Sequence, residues 1–295
     1  MITKPFFTGV CTALVTPFLD DKLNYPMLQQ LLKRQIDAGI EAVVIAGTTG
    51  EAPTLSDDEK LELFHRAKNC VGNQCKIIAG TGCNSTHHTI ELSKAAEEAG
   101  VDGLLIVSPY YNKATPEGLF AHFLAAAHSV SLPVILYNVP SRTGVDIPVS
   151  VYRRLSRVPN IVGVKEASTD ISKITRILLE CGGGFSVWSG NDEMITPVVS
   201  HGGSGVISVV SNVLPTKTQA MAKAALDGDF DTAAALQIGL QPLISQLFCE
   251  VSPIPVKEAM RIIGFDCGNC RPPLSPMTES NREKLLQMLL RVLDN

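Results

Sequence analysis

The chain alternates between two kinds of segment and repeats this alternation eight times. Each repeat begins with a short, continuously apolar run, passes through a polar or glycine-rich turn, and continues into a longer segment of helical periodicity. Strands of a parallel sheet are continuously apolar because helices cover both faces. Eight such units predict an α/β fold, a (β/α)₈ TIM barrel. The apolar runs are Gly9–Val15, Ala42–Ala46, Lys76–Ala79, Gly103–Val107, Val134–Tyr137, Ile161–Lys165, Phe185–Trp188 and Gly205–Val209.

Capping signals place the intervening helices. Ser56-Asp-Asp-Glu59 is a capping box, in which the Ser hydroxyl binds a free amide while the Glu carboxylate reaches back. Thr115-Pro116 puts a capping hydroxyl before a proline in the first helical turn. Gly39 and Gly100 follow helical segments where a left-handed residue is expected. These signals support helices between the strands.

The end of the chain predicts a C-terminal helical extension. Residues 215–295 contain no strand pattern, and the periodicity predicts helices over Ala220–Leu240 and Glu279–Leu293. We therefore divide the chain into a catalytic barrel over residues 1–214 and a helical region over 215–295 that packs on it. The alternative is an open doubly wound sheet. Its usual marks are absent, since Gly80-Thr-Gly82 lacks the third glycine of a dinucleotide fingerprint and no GxxxxGK[ST] occurs.

Composition excludes several function classes. The net charge is −4 and no run rich in Lys and Arg could neutralise phosphates, so we expect no nucleic-acid partner. The apolar runs are far shorter than the roughly 20 residues of a membrane span, and no secretory signal is recognisable. We expect a soluble cytoplasmic protein that does not bind membranes. Of eight cysteines, only Cys267 and Cys270 form a CxxC pair, and without further ligands nearby they favour plain thiols over zinc.

Lys165 is the first candidate for chemistry. In barrels of this kind the working residues lie at the carboxyl ends of the strands, and Lys165 ends the apolar run that begins at Ile161. A neutral amine at the barrel mouth can attack a carbonyl carbon and form a Schiff base, which then accepts electrons from the neighbouring carbon. The alternative is a lysine that closes a strand end and pairs with a carboxylate.

The residues at neighbouring strand ends favour a catalytic role for Lys165. Tyr137 ends the preceding strand and can move protons beside the amine. Thr48 and Thr49 lie in a glycine-bounded turn whose amides and hydroxyls can bind a small carboxylate. Taken alone, Tyr110 and Tyr111 would be core or interface aromatics. The combination indicates a class I aldolase acting on a 2-oxo acid.

Four strings carry a family resemblance in the correct order and spacing. The chain resembles the dihydrodipicolinate synthase family, within the pyruvate-dependent N-acetylneuraminate lyase superfamily, from about Phe7 to the C-terminus. Two C-terminal segments, Pro253–Lys257 and Arg271–Leu274, belong to the resemblance. The strings are Gly47-Thr-Thr-Gly-Glu51, Pro109-Tyr-Tyr-Asn112, Tyr137-Asn-Val-Pro-Ser-Arg-Thr-Gly144 and Gly163-Val-Lys-Glu-Ala-Ser168.

The resemblance implies a reaction and a proton relay. The reaction is the condensation of pyruvate with L-aspartate 4-semialdehyde to 4-hydroxy-tetrahydrodipicolinate, in the diaminopimelate route of lysine biosynthesis. Lys165 matches the lysine that captures pyruvate, and Tyr137 and Thr49 match the hydroxyls of the relay. Tyr111 matches a relay tyrosine that enters the active site of the neighbouring subunit. The resemblance implies no cofactor, no metal, and a homotetramer built as a dimer of dimers.

The resemblance also implies the substrate contacts. Thr48 and Thr49 match residues at the pyruvate carboxylate, and Arg142 matches the arginine that holds the carboxylate of the semialdehyde. Gly190 and Ile207 match residues whose backbones line the pocket. The alternatives are another aldolase of the superfamily, for sialic or sugar acids, or a non-catalytic protein that binds a 2-oxo acid. The former usually lack an arginine at this position, and the full set of relay residues disfavours the latter.

One departure from the family concerns regulation. Many members are inhibited by L-lysine, bound in a cleft at the dimer interface. This chain keeps Asn84 and Tyr110 of the inhibited pattern but has Asp57 and Lys60 in place of two histidines, and His88 in place of a glutamate. L-Lysine carries two ammonium groups, so loss of the carboxylate weakens its site, although Asp57 could supply a substitute charge. We predict an enzyme that is insensitive or only weakly sensitive to L-lysine.

Overall fold

The strands form a closed parallel barrel in the computed structural model, which describes residues 4–293. Every predicted apolar run overlaps a barrel strand, so the barrel is confirmed and the open sheet is excluded. The barrel order is β1-β10-β9-β8-β7-β6-β5-β4, and β2 and β3 form a small antiparallel hairpin beside it. The strands are β1 Gly9–Ala13, β2 Phe18–Leu19, β3 Lys22–Leu23, β4 Ala42–Ile45, β5 Lys76–Gly80, β6 Gly103–Val107, β7 Val134–Asn138, β8 Ile161–Glu166, β9 Ser186–Ser189 and β10 Gly205–Ser208.

Helices follow the strands and surround them. The predicted capping box is present, with the Ser56 side chain accepting from the Glu59 amide and the Glu59 carboxylate accepting from the Ser56 amide. Gly39 and Gly100 adopt φ of 73° and 79° just after helices, as predicted. The helices are α1 Tyr25–Asp37, α2 Asp57–Val71, α3 Thr86–Glu98, α4 Pro116–His128, α5 Pro140–Thr143, α6 Val149–Leu155, α7 Ile171–Cys181, α8 Ile195–Ser200, α9 Pro215–Leu226, α10 Phe230–Leu247, α11 Ile254–Ile262 and α12 Glu279–Leu293.

The helices after β10 depart from the prediction at one point. The bounds predicted for α12 are confirmed, but a continuous helix over Ala220–Leu240 is wrong. Gly228 adopts a left-handed φ of 82°, which ends α9. Asp229 then accepts a hydrogen bond from the Thr232 amide and so caps α10. α11 was not predicted at all.

The barrel is filled at its amino-terminal end and open at the other. Phe7 precedes β1, and its ring stacks on Trp188 with 4.6 Å between the ring centroids. The Trp188 indole donates to the Phe7 carbonyl at 3.2 Å, which fixes both rings. The carboxyl ends of the strands therefore offer the mouth in which barrel enzymes place their chemistry. No helix within residues 4–293 is long and apolar enough to cross a membrane.

Candidate functional site

Lys165 lies at the mouth of the barrel with an unpaired amine. It is 4% exposed and sits beside Tyr137 in the β7–β8 register, with Nζ 4.4 Å from the centroid of the tyrosine ring. Among residues 4–293, no side-chain or backbone group forms a hydrogen bond or an ion pair with Nζ. The alternative interpretation, in which Lys165 closes the strand end by pairing with a carboxylate, is therefore wrong. The amine is buried, faces an aromatic ring and remains available to a ligand.

The residue after Lys165 anchors the strand on its outer face. Glu166 is fully buried, and its Oε1 accepts from Asn138 Nδ2 at 2.8 Å and from the Ser168 amide at 3.0 Å. Its Oε2 accepts from the Tyr152 hydroxyl at 3.2 Å and lies 3.4 Å from Lys173 Nζ. Burial and the adjacent carboxylate raise the pKa of Tyr152 well above its ordinary value, so the phenol stays a donor. This network fixes the end of β8.

One cavity of about 290 Å³ collects most of the predicted site residues. Lys165, Tyr137 and Arg142 line it together with the two threonines of the glycine-bounded turn. Arg142 lies on α5, and its Nη2 donates to the Ser252 carbonyl at 3.1 Å. The predicted residues that line this cavity are Thr48, Thr49, Tyr137, Arg142, Lys165 and Gly190.

The turn that carries the threonines is fixed by backbone hydrogen bonds. The Glu51 amide donates to the Thr48 carbonyl at 3.1 Å, and the Ala52 amide donates to the Gly47 carbonyl at 3.2 Å. Thr16 closes the other side by donating its hydroxyl to the Gly50 carbonyl at 2.7 Å. The turn therefore presents its free polar groups to the cavity in a fixed orientation.

Gly190 is a glycine because of its distance from the lysine. A β-carbon at this position would lie 3.1 Å from both Cγ and Cε of Lys165 and 2.8 Å from Cβ of Ala167. Its φ lies outside the left-handed region, so a side chain here is disfavoured by steric crowding and not by backbone conformation. The backbone of Gly190 thus forms the wall against which the lysine lies.

Two predicted residues lie outside this cavity. Tyr111 is 90% exposed, with a left-handed φ of 73°, and projects away from the barrel of its own chain. Ile207 is fully buried in β10 within the inner apolar cluster that also contains Tyr137 and Trp188. Their roles in the site stay predictions.

Other groups at the mouth were missed. Asp192 is 1% exposed, and its Oδ2 accepts from the Val209 and Val210 amides at 2.9 Å. Burial raises the pKa of this carboxyl, while its hydrogen bonds and the positive charge of Lys165 act in the opposite direction. Its position just after β9 is the sequence signal that marks Asp192 as a candidate site residue, because the strand ends form the mouth.

Two further missed residues come from a segment outside the strand–helix repeat. Phe248 and Ser252 lie between α10 and α11 and line the cavity together with Glu193. Glu193 Oε1 accepts from Gln241 Nε2 at 3.0 Å, so α10 also supports this wall. The sequence analysis assigned no site residue to the α10–α11 segment, because it lies far along the chain from every barrel strand end.

A second cavity, of about 460 Å³, lies next to the first and contains the residues of the family's regulatory pattern. Lys60, Asn84, His88 and Tyr110 line it. Asp57 does not contribute a free charge, since its Oδ1 lies 3.2 Å from Lys60 Nζ and 3.4 Å from His88 Nε2. This arrangement supports the prediction of weak L-lysine sensitivity.

The two cysteines of the CxxC pair do not line either cavity. Cys267 and Cys270 are free thiols, and burial raises the pKa of each to about 12, so both remain protonated. Within residues 4–293, no group of three or more His, Cys, Asp or Glu side chains comes together that could hold a metal ion.

Comparison with known proteins agrees with this geometry over nearly the whole chain. The sequence model of the "Dihydrodipicolinate synthetase family" matches residues 6–291. A 4-hydroxy-tetrahydrodipicolinate synthase of Acetivibrio thermocellus is 46% identical over 286 residues, 97% of each chain. A 4-hydroxy-tetrahydrodipicolinate synthase structure from Methylacidiphilum fumariolicum SolV superposes with a TM-score of 0.96 at 42% identity, covering 98% of this chain and 96% of the other. A monomeric dihydrodipicolinate synthase variant superposes with a TM-score of 0.95 at 39% identity, covering 97% of each chain.

Proposed function

This chain belongs to the dihydrodipicolinate synthetase family, and from that membership we propose how its barrel mouth performs the family's reaction. The enzyme is a lyase, 4-hydroxy-tetrahydrodipicolinate synthase, which condenses pyruvate with L-aspartate 4-semialdehyde in lysine biosynthesis. One observation carries the assignment of its site. The buried, unpaired amine of Lys165 shares a cavity with Tyr137, the Thr48–Thr49 turn and Arg142.

The first half of the reaction activates pyruvate. Nζ of Lys165 attacks C2 of pyruvate, water leaves, and an iminium forms that draws electrons from C3. Loss of a C3 proton then gives the enamine. The phenol of Tyr137 and the hydroxyl of Thr49 line the same cavity and serve to carry this proton and those of the dehydration. Tyr111 completes the relay from the neighbouring subunit.

The second half joins the two substrates. The enamine carbon attacks the aldehyde carbon of the semialdehyde, and the aldehyde oxygen takes up a proton to become the hydroxyl of the product. The new C–C bond regenerates an iminium on Lys165. The amino group that came from the semialdehyde then attacks the iminium carbon and displaces the lysine amine by transimination. Because this amine and the iminium carbon belong to one molecule, the attack closes a six-membered ring, and departure of Nζ restores the free lysine.

Two carboxylates must be held during this sequence. The amides and hydroxyls of Thr48 and Thr49 suit the pyruvate carboxylate, because the turn fixes them toward the cavity. Arg142 suits the semialdehyde carboxylate, because its planar guanidinium can make two parallel hydrogen bonds. The backbones of Gly190 and Ile207 complete the pocket wall.

The quaternary structure proposed for this chain is a homotetramer, a dimer of dimers. The exposed side chain of Tyr111 supports a partner at this edge of the barrel, since it projects from its own chain. The monomeric variant among the similar structures makes the state worth measuring. Sedimentation of the purified protein at several concentrations tests it, and a monomer with full activity would contradict the relay across subunits.

One experiment tests the function as a whole. Pyruvate and borohydride should leave one reduced pyruvate adduct per chain, mapped to Lys165, and a coupled assay should show turnover with aspartate semialdehyde. Cleavage of N-acetylneuraminate is the comparison, and we expect none. An adduct on another lysine of an active protein would contradict the mechanism. Sugar-acid cleavage without synthase turnover would place the chain in the other branch of the superfamily.

A further inference from the structure

Glu51 closes the substrate turn with its backbone but turns its side chain away from the cavity. It adopts a left-handed φ of 58°, a conformation uncommon for a residue with a side chain, and it is 2% exposed. Its Oε1 accepts from Lys257 Nζ at 2.6 Å, and its Oε2 accepts from the Arg271 amide at 2.8 Å. The carboxylate therefore joins the turn to two segments more than 200 residues further along the chain.

The buried ammonium of Lys257 needs the Glu51 carboxylate to balance its charge. It lies on α11, is 3% exposed, and forms its ion pair within residues 4–293 with Glu51 alone. Its Nζ also donates to the Asn269 carbonyl at 3.2 Å and lies 4.3 Å from the centroid of the Phe18 ring. A buried charge is tolerated only when it is paired and hydrogen-bonded, so the two side chains hold each other in a single arrangement.

Arg271 strengthens the same junction from the surface side. Its guanidinium donates to the Thr54 carbonyl at 2.9 Å and to both carboxylate oxygens of Glu59, at 2.7 and 2.6 Å. Thr54 and Glu59 lie in the segment that follows the turn, so the C-terminal region holds both the turn and what comes after it. The hydrogen bonds lower the pKa of the Glu59 carboxyl, which keeps it ionised.

We propose that Glu51 and Lys257 are positioning residues for pyruvate binding. The pair sets the orientation of the Thr48–Thr49 turn, and through it the amides and hydroxyls that receive the pyruvate carboxylate. The inference rests on the proposed function, because it takes that turn as the pyruvate site. The C-terminal region thereby contributes to the reaction as well as to packing. Without Lys257, a folded barrel retains Lys165, but its site for the pyruvate carboxylate is misaligned.

The test compares three variants of the full chain. Glu51→Gln keeps the shape of the side chain but cancels its charge, and its amide can accept from only one of the two donors. Lys257→Met removes the cation while keeping a long apolar side chain. Lys217→Met is the matched control, because Lys217 Nζ donates to the Val292 carbonyl at 2.7 Å and joins α9 to α12 away from the turn.

The measurement is the pyruvate concentration that gives half-maximal borohydride trapping, with the semialdehyde KM and the thermal midpoint alongside. We expect Glu51→Gln and Lys257→Met to raise the pyruvate value about tenfold, the equivalent of one order of magnitude in Kd. The semialdehyde KM should stay within about twofold, since Arg142 is untouched. Lys217→Met should lower the thermal midpoint and leave the pyruvate value unchanged.

The possible results distinguish failure of the positioning role from failure of the proposed function. If a folded Glu51→Gln or Lys257→Met protein needs the same pyruvate concentration for half-maximal trapping as the unmodified chain, the positioning role is overturned. The pair then contributes to stability alone. If Lys257→Met does not fold, the milder Glu51→Gln decides the question. Absence of trapping in the unmodified chain would refute the proposed function itself, and the inference with it.

Discussion

Gly190 offers the sharpest test of how closely the structure holds its lysine. Replacement by alanine adds a β-carbon 2.8 Å from Cβ of Ala167 and 3.1 Å from Cγ and Cε of Lys165. Non-bonded carbons prefer about 3.5–4.0 Å, so the backbone or the lysine must move by about 0.5–1 Å. Overpacking of this kind costs about 1–3 kcal/mol of stability.

The effect on catalysis should exceed the effect on folding. A reacting group displaced by about 1 Å loses on the order of 100-fold in rate. We therefore expect Gly190→Ala to remain folded, to be trapped by pyruvate and borohydride more slowly, and to lose about 100-fold in kcat in the coupled assay.

Two further variants make the result specific. Gly239→Ala is the matched control, because the added β-carbon in α10 has nothing within 4 Å apart from its chain neighbours and the backbone of its own helix. It should retain full activity and gain about 0.5–1 kcal/mol of stability. Ala167→Gly in the Gly190→Ala background removes the closest contact and should restore part of the rate. If Gly190→Ala is trapped and turns over at the rates of the unmodified chain, the steric reasoning is refuted.

Three predictions concern the other proposed contacts. Arg142→Ala should weaken semialdehyde use by about 10–150-fold, the loss of a charge-assisted hydrogen bond worth about 1.5–3 kcal/mol, and should leave pyruvate trapping intact; unchanged semialdehyde kinetics would contradict its role. Tyr111→Phe should lose turnover while folded, and mixed oligomers with Lys165→Ala should recover part of it because one site then holds both native groups; no recovery after verified subunit exchange would mean that Tyr111 serves its own chain. L-Lysine should not reach half-inhibition below about 1 mM, an affinity of roughly 4 kcal/mol, since Asp57 is already paired with Lys60; a titration in the coupled assay decides this.

The order of the strands and the position of Lys165 could be predicted because both depend on local chemistry. A strand covered on both faces must be apolar throughout, so the run Ile161–Lys165 predicts a buried strand with an amine at its end. The structure extends that strand by one residue, to Glu166. The capping box at Ser56 was equally visible, since its two hydrogen bonds join residues three apart.

Helical periodicity was a weaker guide in the C-terminal region. The apolar spacing over Ala220–Leu240 continues through a break that only Gly228 and Asp229 create. α11 was missed because its nine residues are fewer than the roughly 11 over which helical periodicity is read.

The barrel, the strand ends and the candidate lysine could be predicted from the chain alone, because each is specified by residues close together in it. Their surroundings depend on contacts between residues that are far apart in the chain. Glu51 meets Lys257 across 206 positions, and Gly190 meets Lys165 across a strand boundary. Such contacts depend on closure of the barrel and on how the last helices pack against it, and neither leaves a periodic signal in the chain.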